Sequence, residues 1–124
     1  MKFAFIAAFL LGLVGVVTGA LGAHALEEVL DANQMDSYET AVRFQMYHSF
    51  LLLALGVLIK IFGQNQLLRL ATFGTLIGTL LFSGSIYLLV LTPIKVGIVT
   101  PIGGMLLILS WAFLAVWAIR LAGK

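Results

Sequence analysis

Four apolar stretches, each about as long as a helix must be to cross the hydrocarbon core of a bilayer, occupy most of this 124-residue sequence. They run from Phe3 to Ala23, Val42 to Phe62, Leu67 to Leu91 and Pro101 to Leu121. No Asp or Glu falls inside any of them. All of the carboxylates, Glu27, Glu28, Asp31, Asp36 and Glu39, sit in the connection between the first and second stretches. With 62% hydrophobic and 10% charged residues, the chain has too few charges to cover a water-soluble domain of this size. The expected fold is therefore all-α, an integral membrane four-helix bundle forming a single domain over residues 1–124. The first stretch also has the outline of a signal peptide, with Lys2 ahead of it and Ala23-His24-Ala25 behind. Its apolar run is longer than the roughly 7–15 residues usual in such peptides, so it is read as a retained helix.

Orientation follows from the basic residues of the short connections. Lys2, Lys60, Arg69, Arg120 and Lys124 fall on one side and only Arg43 and Lys95 on the other, which places both termini in the cytoplasm. Trp117, close to Arg120, fits an aromatic belt on the cytoplasmic side. The basic residues are dispersed, and no basic patch interleaved with aromatics exists, so the net charge of +2 reads as topology and nucleic acid is not an expected partner.

In the first outer connection Leu26, Val29 and Leu30 recur at helical spacing with acidic residues opposite, which predicts a short amphipathic helix lying on the membrane. Asn33-Gln34-Met35 breaks that pattern. Asp36 with Glu39 three residues later has the form of a capping box, which predicts that the second helix starts at Ser37. Glu39 and Arg43 lie one turn apart and can pair. At the fourth stretch Thr100 is placed to cap and Pro101 to take the first helical position.

Hydrophobicity drives little association between helices in lipid, so small residues that let backbones approach mark the interfaces. Ala8, Gly12, Gly15, Gly19 and Gly22 form such a seam along the first span. The third span carries Gly74 and Gly78 on one side and a hydroxyl stripe of Thr72, Thr75, Thr79 and Ser83 on another. Both read first as helix contacts within one chain. The sharper alternative makes one of them an oligomer seam or the lining of a polar cavity.

The absence of a carboxylate within the spans removes the group on which small four-span proton-coupled exporters depend, and with it an acidic-ring filter. The absence of cysteine excludes disulfides, thiolate metal sites and thiol nucleophiles. The remaining polar groups gather toward the outer surface. His24 ends the first span, Gln45 and His48 share a face of the second, Ser83, Ser85 and Tyr87 lie in the outer part of the third, and Thr100 opens the fourth. At about 1.5 Å per residue, His48 lies roughly 9 Å below Val42 and Ser83 roughly 12 Å below Leu91, depths that match. His48 is expected to be buried and to face other helices. Three readings compete for the cluster: a hydrogen-bonded lock on helix packing, a site for a lipid headgroup, quinone or small solute, and a haem or metal between His24 and His48. Glu27, three residues after His24, is a weakly specific third ligand. The N–H groups of Ile102, Gly103 and Gly104 at a helix start attract anions, although a cap by Thr100 accounts for them. No nucleophile with an oriented base can be read, so no enzyme and no cofactor are expected.

The segments GALGAHAL (Gly19 to Leu26), TAVRFQMYHS (Thr40 to Ser49), LFSGSIYLLVLT (Leu81 to Thr92) and TPIGG (Thr100 to Gly104) together resemble domain of unknown function 423. That family of small bacterial membrane proteins is similar to the animal transmembrane protein 256 group. The resemblance spans nearly the whole chain, with the motifs in order. It implies a four-span protein of the bacterial cytoplasmic (inner) membrane and no established activity or catalytic residue. It also draws attention to His24, Gln45, Tyr47, His48, Ser83 and Ser85 without assigning them roles. The resulting expectation is a non-enzymatic membrane protein associating with lipid, with another membrane protein or with itself, as an accessory or membrane-organising protein. The alternatives are an oligomeric small-solute transporter or pore using the outer cluster, and a haem or metal redox protein.

Overall fold

A computed structural model describes every residue from Met1 to Lys124. It contains four α-helices: α1 (Lys2–His24), α2 (Ala32–Phe62), α3 (Gln66–Leu91) and α4 (Val99–Ala122). All four are long and apolar enough to cross a membrane. Helices are what such a sequence must form in lipid, because each backbone N–H and C=O has to find its partner within its own segment.

The helices pack in chain order, α1 on α2, α2 on α3 and α3 on α4. The two central helices bury 44% and 33% of their apolar windows, against 22% and 17% for α1 and α4, so the outer helices carry most of the surface that meets lipid or a partner. Toward the end formed by the α2–α3 connection lies an apolar core cluster built from Ala7, Ala8, Leu51, Leu52, Leu55, Ile59, Leu68 and Ala71. Gly63 ends α2 with φ 78°, the one left-handed residue in the chain, and Asn65 caps α3 by accepting from the Leu68 N–H at 3.1 Å. A three-residue connection suffices because glycine turns the chain without strain and asparagine restarts it.

At the opposite end several expectations are corrected. No amphipathic helix forms after α1. Residues 25–31 make a single tight turn, in which the N–H groups of Val29 and Leu30 both donate to the Leu26 carbonyl, and Val29 points outward. The second helix begins at Ala32 rather than Ser37, and Asn33, Gln34 and Met35 lie in its first turn instead of breaking a pattern. The capping box is formed by Asp31 and Gln34, not by Asp36 and Glu39. The Asp31 carboxylate accepts from the Gln34 N–H at 2.8 Å, and the Gln34 side-chain oxygen accepts from the Asp31 N–H at 3.0 Å. At about 1.5 Å per residue the 31-residue α2 is roughly 46 Å long, beyond a hydrocarbon core of about 30 Å, so its first turns stand clear of the apolar span. Tyr38 anchors that extension. Its ring is buried against Gly22, and its hydroxyl donates to the Thr18 carbonyl of α1. Glu39 and Arg43 pair at 3.9 Å, as their spacing predicts.

Thr100 does not cap α4. That helix starts at Val99, and Ile98 precedes it without a side-chain cap. Pro101 is consequently the third helical residue, a place it tolerates because the first-turn N–H groups have no intrahelical acceptor. The Thr100 hydroxyl is instead 2.5 Å from that of Ser85 on α3.

Candidate functional site

Most of the expected polar groups lie in the half of the bundle away from the α2–α3 connection, where they form separate hydrogen-bonded groups, Gln45 with Tyr87, Ser85 with Thr100 and His48 with Trp111. Gln45 is 3% exposed and stands at the junction of three helices. Its side-chain N–H donates to the Leu11 carbonyl of α1 at 2.9 Å, and its oxygen accepts from the Tyr87 hydroxyl of α3 at 2.7 Å. The Thr18 hydroxyl lies 3.2 Å from the same Tyr87 oxygen and 3.1 Å from the Gly15 carbonyl. Since Tyr87 gives its one proton to Gln45, Thr18 is the donor in whichever of the two bonds its own proton makes. The Tyr38 and Tyr87 rings lie 5.5 Å apart, closing the network toward the surface.

The α1–α2 contact shows how sequence spacing becomes a site. Tyr38, Gln45 and Ser49 line one face of α2, and they donate in turn to the carbonyls of Thr18, Leu11 and Ala8 on the antiparallel α1. The seam Ala8, Gly12, Gly15, Gly19 and Gly22 makes this reach possible. A Cβ at Gly12 would meet Ser49 Oγ at 3.0 Å, at Gly15 the Met46 side chain, and at Gly19 the Val42 side chain at 3.4 Å. Without side chains in the way, α2 uses the second lone pair of carbonyls already bonded within α1. The seam is thus a contact inside one chain.

The hydroxyl stripe on α3 is buried as well. Thr72 and Thr79 donate back to the carbonyls of Leu68 and Thr75 four residues earlier, whereas Ser83 crosses to the Ala41 carbonyl of α2 at 2.7 Å. Thr75 Oγ1, fully buried between them, makes no hydrogen bond.

His48 is 4% exposed. Its Nδ1 is 2.7 Å from the Phe44 carbonyl, which can only accept, so that nitrogen carries the proton. Its Nε2 then accepts from the Trp111 indole N–H of α4 at 3.2 Å. Both ring nitrogens are engaged by the neutral tautomer, assigned from the hydrogen-bond network. Phe44, stacked on His48 at 5.9 Å and against Phe82 at 4.7 Å, screens the pair. Sequence reasoning missed Trp111, because an apolar residue on a span gives no sign that its N–H is needed. It missed Tyr38 because a tyrosine at a membrane surface ordinarily serves as an interfacial anchor.

Two of the expected members stand outside the cluster. His24 ends α1 at an exposed position, and Tyr47 is 57% exposed on the outer face of α2. Helical geometry gives the reason for Tyr47: a residue one step from the buried His48 is turned about 100° away from it. No three His, Asp or Glu side chains come together as a metal-holding group, and the Nε2 lone pair of His48 is already taken by Trp111. His48 touches no hydroxyl, so there is no Ser–His or Tyr–His couple to generate a nucleophile. A cavity of about 250 Å³ opens between α1 and α3 above Gln45, Thr79, Ser83 and Tyr87, walled by Leu10, Leu11, Val14, Leu80 and Gly84. The polar groups beneath it turn their bonding capacity inward, to carbonyls and to one another. What this arrangement does chemically is tie four helices together. Of the four bonds between side chains on different helices, one joins α1 to α3, one α2 to α3, one α3 to α4 and one α2 to α4.

A family profile described as a protein of unknown function, DUF423, matches residues 18–104. Among similar proteins, a UPF0382 membrane protein of Staphylococcus aureus is 40% identical over 99% of this chain and 100% of its own length. A UPF0382 membrane protein of Staphylococcus haemolyticus is 39% identical over the same shares. The UPF0382 inner membrane protein YgdD of Escherichia coli is 36% identical over 99% of this chain and 94% of its own length. No solved structure matches the chain. The matched segment contains Tyr38, Gln45, His48, Ser83, Ser85, Tyr87 and Thr100, and the four apolar helices agree with relatives named as membrane proteins. The chain is a multi-pass protein of the bacterial cytoplasmic (inner) membrane and belongs to the DUF423 family.

Proposed function

We propose that this protein is non-catalytic and acts through its membrane-facing surface, as an accessory or membrane-organising protein that associates with another membrane protein or with lipid. One observation carries the reading: the polar groups at mid-depth are buried and, Thr75 apart, spend their hydrogen bonds on the protein itself. A transporter holds such groups open to a water-filled path, and an enzyme holds them open to substrate. Here they fix the helices, and the surface left for work is the outward side of α1 and α4, on which Val16, Ile108 and Ile119 are among the most exposed residues. Both termini and the α2–α3 connection are placed in the cytoplasm, on the count of basic residues.

Two measurements test this. Photo-crosslinkers placed singly at Val16, Ile108 and Ile119 in cells should capture a discrete membrane protein or lipid, whereas one at the exposed Phe62 near the helix end serves as a comparison. Proteoliposomes should pass small solutes and ions no faster than empty vesicles. Flux above that background, abolished by Gln45→Leu, would overturn the reading. Orientation is tested separately with single cysteines at Gln34 and Gln64, both exposed, in a chain that has no native thiol. Impermeant reagent should reach Gln34→Cys from outside the cell and Gln64→Cys only after lysis.

A further inference from the structure

The two ends of the bundle carry opposite net charge. Lys2, Lys60, Arg69, Arg120 and Lys124 belong to the end that carries the α2–α3 connection, and every Asp and Glu lies at the other. At the basic end, the first turn of α3 and the last turn of α4 do not close on each other. They leave a cavity of about 350 Å³ lined by Asn65, Gln66, Trp117, Arg120 and Lys124, with Leu67 and Leu121 on its apolar side. Neither Arg120 nor Lys124 pairs with an Asp or Glu side chain, since Arg43–Glu39 is the sole side-chain ion pair in the protein. The cavity therefore gathers two cationic side chains without an acidic side-chain partner and two side-chain amides beside an indole. Trp117 is held in place by an edge-to-face contact with Phe62 at 5.3 Å.

We infer that this cavity binds the phosphate headgroup of an anionic phospholipid from the leaflet at that end, the cytoplasmic one in the topology proposed above. Basic pockets between membrane helices attract such headgroups because the guanidinium forks onto phosphate oxygens and the ammonium adds a second charge. The location favours lipid over free phosphate. Trp117 marks interfacial depth, and the leucines continue from the cavity to the lipid-facing surface, so acyl chains leave it directly into the bilayer. The inference deepens the lipid arm of the proposed function and rests on it only for the membrane placement. Solute flux through the bundle would overturn that function and leave this site untouched.

The test is the thermal stability and native mass spectrum of the full chain in mild detergent, titrated with phosphatidylglycerol, phosphatidylcholine or inorganic phosphate. Phosphatidylglycerol should raise the midpoint and remain bound, phosphatidylcholine should do so far less, and inorganic phosphate should produce no shift at the same concentration. Arg120→Gln with Lys124→Gln should weaken phosphatidylglycerol binding on the order of tenfold, whereas Lys2→Gln with Lys60→Gln removes the same charge outside the cavity and should leave binding nearly unchanged. If the first double variant does not purify, Lys124→Gln alone, at an exposed terminal residue, carries the same comparison. Equal weakening by the two double variants would overturn the site in favour of diffuse attraction. So would an absence of preference for phosphatidylglycerol, or a phosphate effect matching it.

Discussion

The α1–α2 and α3–α4 pairs are both built on glycine, and they use it for different ends. Along α1 the glycines face side chains: Ser49, Met46, Val42 and Tyr38 of α2 fill the gaps, and donors from α2 pass between them to α1 carbonyls. Between α3 and α4 the glycines bring backbone to backbone. A Cβ on Gly103 would lie 2.9 Å from the Gly78 carbonyl oxygen and closer still to the Phe82 nitrogen, and one on Gly78 would lie 3.1 Å from the Gly103 carbonyl oxygen. A side-chain tip can swing away from an added methyl, whereas two helix backbones can only separate. The longer glycine stripe, the one that stands out in the sequence, is therefore the more forgiving interface, and the tighter one rests on two glycines that no single stripe contains.

The sharpest way to break that comparison is Gly103→Ala against Gly15→Ala. Gly103→Ala should lower unfolding stability in detergent by about 3 kcal/mol, at the upper end of overpacking costs, because α4 must move off α3 as a unit. Gly15→Ala meets mainly the flexible end of Met46 and should cost about 1 kcal/mol or less. Equal losses from the two would mean that the interfaces are of one kind.

Next in size are the polar ties. Gln45→Leu removes two bonds, one to the Leu11 carbonyl and one from the Tyr87 hydroxyl, an effect of about 1–2 kcal/mol by chemical or thermal unfolding. Tyr87→Phe added to Gln45→Leu should cost less than the sum of the two changes, because they act on one shared bond. His48→Ala should destabilise by a similar amount and His48→Gln by less, since glutamine retains some of the bonding. Trp111→Phe loses the indole N–H together with part of the ring, and should cost about 0.6 kcal/mol for the bond, the average for such bonds in membranes, plus a packing loss limited by the exposure of the ring. A His48→Gln variant no more stable than His48→Ala would show that the ring's packing on Phe44, and not its bonds, carries the effect.

The smallest expected effect calibrates the rest. Nothing lies within 4 Å of a Cβ built on Gly84, which sits on the same helix as Gly78. Gly84→Ala should shift stability by no more than about 0.5 kcal/mol in either direction. A large loss there would mean that glycine at this depth matters for reasons other than close approach.

Much of the outer cluster was legible in the sequence. Gln45, His48, Ser83 and Ser85 are polar groups deep in apolar spans, and groups so placed must turn inward and find partners. The partners themselves were not legible. Leu11, Ala8 and Ala41 serve through their carbonyls, which every residue possesses, and Trp111 serves through one N–H on a large apolar ring. The connection before α2 failed for a different reason. Leu26, Val29 and Leu30 fit a helical spacing over too few residues to support a helix, whose first turn is costly to form. The chain spends them on one turn, and Asp31, next to the last of them, takes the cap that Asp36 also could have provided.

The sequence by itself determined that four helices cross the membrane, because the need to bond every backbone group inside lipid is met locally and hydropathy reports it directly. It also determined the confinement of every Asp and Glu to one end and the spacing of the α1 glycine seam. Only the tertiary structure decided which side of each helix faces its neighbours. In water the buried side of a helix is its apolar side, but here the lipid-facing and protein-facing sides are both apolar, and the pattern carries almost no direction. Tyr38 turning onto Gly22, Trp111 reaching His48 and Gly78 meeting Gly103 were settled by shape and by the pairing of buried donors, which exist only once the helices lie side by side.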